Sequence, residues 1–263
     1  MVLDSSLFIK LAILTVIIHI IDTLAYAVRL NSVKSGNFAL NMSLFNLIVL
    51  ISRTANMFQG PALGTLIDLS IKQNYNPITD IRYIVYATTI GTIIGICLIP
   101  TFLKGFSKAA SKLEETGSIP SLVLQSLSLA NIKRITRNAV SPKKSMISNL
   151  RYKNIPKKLL IINTLITGIY AIGVLAAYYA STFYPDKRTA IVSSSGMING
   201  IASILLTVFI DPKAAIITDE AYRGKRDYGD VKALVVMLIG SKLLGTLLGQ
   251  VLLVPGAKFI TLF

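Results

Sequence analysis

The chain has 263 residues, of which 53% are hydrophobic and 15% charged, and its mean hydropathy is +0.65. That balance excludes a soluble globular domain and reads as an integral membrane protein. The net charge of +15 comes from basic residues beside apolar runs without interleaved aromatics, which argues against a nucleic-acid role, and a lone Cys97 and a lone His19 leave no disulfide framework, thiol pair or structural zinc.

Continuous apolar runs predict helices rather than a barrel, with six spans at roughly 5–28, 38–60, 81–103, 158–183, 188–210 and 233–256, each near the ~20 residues that cross the hydrocarbon layer. The fold class is therefore all-α, a polytopic six-helix bundle. In the first span Ala25-Tyr26-Ala27 mimics a signal-peptide cleavage site, but the preceding region is not basic, and His19 and Asp22 interrupt the apolar core, so the span is expected to be retained. Thr15, His19, Asp22, Tyr26 and Arg29 fall within an arc of about 80° on that helix. On the second span Asn46, Arg53, Asn56 and Gly60 share a comparable arc, Asp68 rejoins it if the helix survives Pro61, and Gly60-Pro61 is expected to open the helix. Ending the first span at Arg29 puts Asp22 ~10 Å and Arg53 ~24 Å from the inner surface, a staggered ladder of polar groups.

Residues 104–158 then carry twelve Lys and Arg against Glu114 and Glu115, which marks this segment as cytoplasmic. Within it Pro120–Ala139 has an apolar start and a basic end, and is open to two readings, a helix lying on the inner membrane surface or a docking site. With both termini outside, 19 of the 27 basic residues lie on the cytoplasmic side, counting Arg29, Lys34, Lys213, Arg223, Lys225, Arg226 and Lys232 with the twelve. The chain divides into a three-helix half at 1–103, a basic loop at 104–157 and a second three-helix half at 158–263, and an odd number of spans per half allows two inverted three-helix repeats. The third helix of each half bears a ridge of small residues, Ala87/Gly91/Gly95 and Ser241/Gly245/Gly249, suited to close helix approach. The second helix of each half ends in an acidic, Pro-containing turn, Gly60-Pro61 with Asp68 and Asp211-Pro212 with Asp219-Glu220.

Ionisable side chains inside spans cost several kcal/mol each and therefore mark cavities or pathways. Arg53 is the leading candidate for an anion site, because its planar fork holds phosphate bidentately and keeps its charge. The competing roles are structural: Asp22 or Asp68 neutralising Arg53, the two Asn acting as interhelical glue, and His19 either carrying a proton with Asp22 or sitting satisfied in the interior. No phosphate-binding loop, H-E-x-x-H or nucleophile elbow is present, Ser193-Ser194-Ser195-Gly196 has no nearby His, and the expectation is a non-enzyme without metal or cofactor.

The runs His19-Ile-Ile-Asp-Thr-Leu-Ala-Tyr-Ala-Val-Arg29, Ser43-Leu-Phe-Asn46, Ser52-Arg-Thr-Ala-Asn56 and Gln59-Gly60-Pro61 resemble those of the Amj family of bacterial lipid II flippases, alternates to MurJ. Asp211-Pro212, Thr218-Asp219, Gly224, Gly245-Thr-Leu-Leu-Gly-Gln250 and Pro255 extend the resemblance into the second half. It implies movement of the undecaprenyl-pyrophosphate-linked peptidoglycan precursor across the bacterial cytoplasmic membrane. Arg53 and Arg29 would then bind the pyrophosphate, Asn46, Asn56, Gln59 and Tyr26 the sugar or peptide groups, and His19, Asp22 and Asp68 would line the cavity or couple transport. The partners would be the precursor and membrane lipids, with the chain acting as monomer or homodimer. Two other classes use the same residues differently: a proton- or ion-coupled carrier of a soluble anionic metabolite, and a membrane scaffold working through the basic loop.

Overall fold

The computed structural model describes residues 5–116, 139–142 and 148–262; the amphipathic stretch expected at 120–139 lies outside them but for its last residue. Six helical spans run through the described residues. α1 (Ser5–Lys34) has neither Gly nor Pro to interrupt it and ends where Gly36 takes φ +76°. The second span is α2 (Phe38–Met57) and α3 (Gln59–Lys72), broken at Phe58. Pro61 is the cause: it has no N–H for the carbonyl of Met57, four residues earlier, and its ring crowds that carbonyl. α4 (Ile78–Thr116) is the third span, α5 (Lys157–Ala180) the fourth. The fifth is interrupted twice, as α6 (Arg188–Ser193), α7 (Ser195–Leu205), a π-helical turn at Leu206–Ile210 and α8 (Asp211–Tyr222). That π turn again covers the residue four before a proline, Pro212. α9 (Tyr228–Ile260) is the sixth, capped by Asp227, whose carboxylate accepts from the Gly229 N–H at 2.6 Å.

The helices overrun the apolar windows of the sequence because backbone hydrogen bonding does not stop at the hydrocarbon edge. Consequently α4 continues thirteen residues past the boundary expected at 103, and α1 extends five past Arg29.

The two ridges of small residues are where helices meet. A Cβ on Gly91 would lie 2.5 Å from the Val16 carbonyl oxygen, and one on Gly95 would lie 2.8 Å from Thr23 Cβ, so α4 seats directly on α1. In the other half a Cβ on Gly245 would come within 2.7 Å of the Thr164 carbonyl, and α9 seats on α5 in the same way. First and third helices of each half thus form a tight pair. The second, broken span of each half lies outside its pair: α2 packs mainly on α1, and α7 mainly on α5.

The start of α1 and the end of α9 lie at one end of the bundle and the end of α4 and the start of α5 at the other, and the two ends pack differently. At the terminus end one core joins both halves, with Leu11, Leu63, Leu66, Ile81 and Ile84 against Leu175, Ala176, Leu253 and Ile260. Here Arg82 Nη1 donates to the Gln250 carbonyl and Gln250 Nε2 to the Arg82 carbonyl, both at 2.9 Å. At the loop end the buried apolar residues separate into one group around Val28, Leu44, Phe106 and Leu113 and another around Leu159, Ile210, Ile217 and Leu234. Tyr26, Leu30 and Val33 of α1 reach from the first half to the second group. The halves also meet at this end, through Arg29 with Asp211, the Tyr222 hydroxyl with the Gly36 carbonyl at 2.8 Å and the Phe38–Tyr222 ring pair, and the space described next lies between them.

Overpacking tests the seating of α4. Gly91→Ala should lower stability by about 1–3 kcal/mol, because the backbone carbonyl of Val16 cannot move aside. Gly240→Ala, which meets nothing within 4 Å, should leave thermal unfolding of the detergent-purified protein unchanged.

Candidate functional site

Between the two halves lies a cavity of about 80 Å³, walled by α1, α2, α5, α7, α8 and α9. α1 presents His19, Asp22, Tyr26 and Arg29 on one face, and α2 presents Phe45, Val49 and Arg53, four residues apart. The opposite wall carries Thr167 and Tyr170 of α5, Asp211 of α8 and Lys242 of α9.

Each charged group has a distinct setting. Arg29 is only 3% exposed, donates from Nη2 to Asp211 Oδ1 at 3.1 Å, and lies 4.7 Å from the Phe45 ring centroid and 5.7 Å from that of Tyr26. A carboxylate and two ring faces thereby replace the water this guanidinium gives up, though its Nη1 is buried without a hydrogen-bond partner among the described residues. The Tyr26 hydroxyl donates to Asn163 Oδ1 at 3.3 Å, and Asn163 Nδ2 donates in turn to Ser241 Oγ at 2.7 Å, which fixes this wall. Lys242 is also 3% exposed; its Nζ donates to the His19 carbonyl at 3.3 Å. Arg53 is exposed on the cavity wall and has no carboxylate within 4.0 Å among the described residues. Asp22 is half-buried and similarly forms no ion pair among them.

Toward the terminus end a smaller chamber of about 20 Å³ is lined by Thr15, Asn56, Gln59 and Thr88. His19 and Tyr170 line both chambers and form the partition between them. The polar groups of this chamber are neutral: Gln59 Nε2 donates to Thr15 Oγ1 at 2.6 Å, and Asn56 lines it with Tyr170. His19 is 5% exposed, with Nδ1 unpartnered among the described residues.

Of the residues singled out in the sequence, His19, Asp22, Tyr26, Arg29 and Arg53 meet in the larger chamber, and His19, Asn56 and Gln59 in the smaller. Asn46 is exposed and lines neither; at its level Phe45 forms the wall. Asp68 is at the terminus end, ion-paired with Arg188. The depth stagger also contracts. Because α1 runs to Lys34, Asp22 lies twelve residues from the loop end of its helix and Arg53 fifteen from that of α2, about 18 and 22 Å. Ser52 Oγ reaches the Ile18 carbonyl at 3.4 Å, which sets the register of the two helices. Sequence reasoning did not select Lys242, Asp211 or Tyr170. Lys242 was visible, with Arg53, as a cation inside an apolar span, and Asp211 only as part of a turn.

Six spans enclosing a polar chamber lined by three cations define a multi-pass membrane protein with an internal polar cavity. The chain belongs to the Amj family: the family model described as "Alternate to MurJ" matches residues 14–263. It is 41% identical over 249 residues to lipid II flippase Amj of Bacillus subtilis (strain 168), covering 93% of this chain and 91% of that protein. No solved structure matches it.

The Arg29–Asp211 pair is asymmetric in exposure, 4% against 34% of the side chain. Asp211→Ala leaves a buried cation unpaired and should cost about 3 kcal/mol, whereas Arg29→Met leaves a carboxylate that water can reach and should cost less. Thermal melts of the two variants in matched detergent check the order; equal losses would contradict it.

Proposed function

We propose that this chain is a lipid II flippase of the bacterial cytoplasmic membrane, with the cavity as the passage for the precursor's headgroup. The observation that carries the reading is Arg53, a guanidinium on the wall of an intramembrane cavity without a carboxylate partner among the described residues, in a relative of a lipid II flippase. An unpaired cation at this depth calls for an anionic ligand, and a pyrophosphate supplies two charges in the geometry a guanidinium binds best.

The distribution of basic residues supports a cytoplasmic loop end, which sets the Arg29–Asp211 side of the chamber toward the leaflet in which the precursor is made. α2 and α7 flank the chamber with little direct packing between them, and their outward faces are apolar, with Leu50 and Ile51 on one and Ile201 and Ile204 on the other. Such faces suit a lipid tail that stays in the bilayer while the headgroup enters sideways. The same feature favours a lipid-linked substrate over a soluble metabolite, which needs a route sealed from lipid.

The mechanism then follows from the residues. The pyrophosphate is held by Arg53. Arg29 joins it if the incoming anion displaces Asp211, since both compete for one guanidinium. Tyr26, Asn56 and Gln59 offer hydrogen bonds to sugar and peptide groups, the last two in the neutral chamber beyond the His19–Tyr170 partition. Passage requires that partition to open and the shared core at the terminus end to part, a rocking of the two tight helix pairs against each other. The breaks at Phe58 and at Leu206–Ile210 let the peripheral spans follow.

Expression in a bacterium depleted of its own lipid II flippase tests this reading. At matched membrane levels the wild-type chain should restore growth, Arg53→Ala should reduce rescue at least about tenfold, and Arg53→Lys should retain part of it. Full rescue by Arg53→Ala would remove the cationic anchor from the account, and no rescue by well-inserted wild type would remove the function.

A further inference from the structure

We infer that Lys242 is the second phosphate anchor of the cavity and the residue that distinguishes a pyrophosphate from a monophosphate headgroup. The inference rests on the reading that the passing headgroup is a lipid-linked pyrophosphate, and adds to it the chemistry of selection.

Position comes first. Lys242 lies fourteen residues beyond Tyr228 and eighteen before Ile260, about 21 and 27 Å from the two ends of α9. A lysine stem cannot snorkel that far to either surface, so its charge has to be met inside the bundle. The described structure meets it weakly. Nζ has three protons to donate, and the hydrogen bond it makes is to the carbonyl of His19; no carboxylate lies within 4.0 Å among the described residues. The Tyr26 centroid is 6.0 Å away. A purely structural position of this kind gains from an apolar side chain, because buried ions are commonly neutral or unfavourable beside well-packed hydrophobic replacements.

The charge inventory of the chamber points the same way. The groups facing it are Asp22, Arg29 and His19 from α1, Arg53 from α2, Tyr170 from α5, Asp211 from α8 and Lys242 from α9. Asp211 is engaged by Arg29, which leaves two cations, Arg53 and Lys242, against the single carboxylate of Asp22. One phosphate group is matched by Arg53 alone. The second phosphate group of a pyrophosphate is matched by Lys242, which a monophosphate, whatever its charge, lacks the second phosphorus to reach while it is held by Arg53. The two anchors stand on opposite halves of the chain, so a pyrophosphate bound to both bridges the helix pairs that have to move, whereas a monophosphate bound to one does not.

Binding measurements on purified protein in phosphatidylcholine nanodiscs separate these contributions, with undecaprenyl pyrophosphate, undecaprenyl monophosphate and inorganic pyrophosphate as probes. Wild type should bind the pyrophosphate lipid at least about tenfold more tightly than the monophosphate lipid. Lys242→Met should bind the two lipids equally, with its monophosphate affinity within about twofold of wild type, and Lys242→Arg should keep the preference. A preference that survives in Lys242→Met, or that wild type lacks, overturns the assignment of Lys242 while leaving the flippase reading intact. Failure of well-folded wild type to bind either lipid overturns the flippase reading, and inorganic pyrophosphate binding as tightly as the lipid overturns the lipid-linked source. Should Lys242→Met not insert, wild type answers the question through carbamylation by cyanate, small enough to enter the chamber. Undecaprenyl pyrophosphate should slow modification of Lys242 severalfold and the monophosphate should not; equal rates with both contradict the inference.

Discussion

Three cations and two carboxylates facing one chamber inside an apolar bundle set the terms for the rest of this structure. Charges held away from bulk water need partners, and here the partnering is incomplete. Arg29 is satisfied by Asp211 and by two aromatic faces, which makes it part of the wall. Arg53 and Lys242 have no such carboxylate among the described residues. A bundle that keeps this excess is stabilised elsewhere, by the glycine-seated pairs α1–α4 and α5–α9 and by the shared core at the terminus end.

That division of labour connects fold to function. The tight pairs cannot deform without backbone collisions at Gly91 and Gly245, so motion is confined to movement of one pair against the other and to the peripheral, proline-broken spans. The chamber is built where the pairs diverge. Its two compartments differ in chemistry, cationic toward the loop end and neutral beyond His19 and Tyr170, in the order that a headgroup with a charged root and an uncharged, hydrogen-bonding extension would use them.

Much of this was legible in the sequence. Helix count, the close approach at both ridges and the polar face of α1 follow from apolar runs and helical periodicity, which are local properties. The chamber-lining position of Arg53 and Asn56 could be read from their shared arc. What depends on partners was not legible. Asp68 is drawn to Arg188, 120 residues later in the chain, and Asp211 to Arg29, 182 residues earlier. No spacing rule connects such residues. Asn46 shares the arc of Arg53 and still faces outward, because Phe45 takes the wall beneath Arg29. The depth ladder was overstated because a hydropathy window ends with the apolar residues, whereas α1 continues to Lys34 as an uninterrupted helix. Lys242 could be seen in the sequence but not interpreted, since a lone lysine in an apolar helix has meaning only through what faces it.

The central claim is that this chain moves a lipid-linked pyrophosphate headgroup across a bilayer. The direct measurement is leaflet exchange of a fluorescent lipid II in proteoliposomes of the purified protein, read by the fraction that a membrane-impermeant quencher can reach over time. The account predicts exchange well above that of protein-free vesicles for the wild-type chain. Exchange no faster than in protein-free vesicles, with correctly inserted and folded protein, would contradict it.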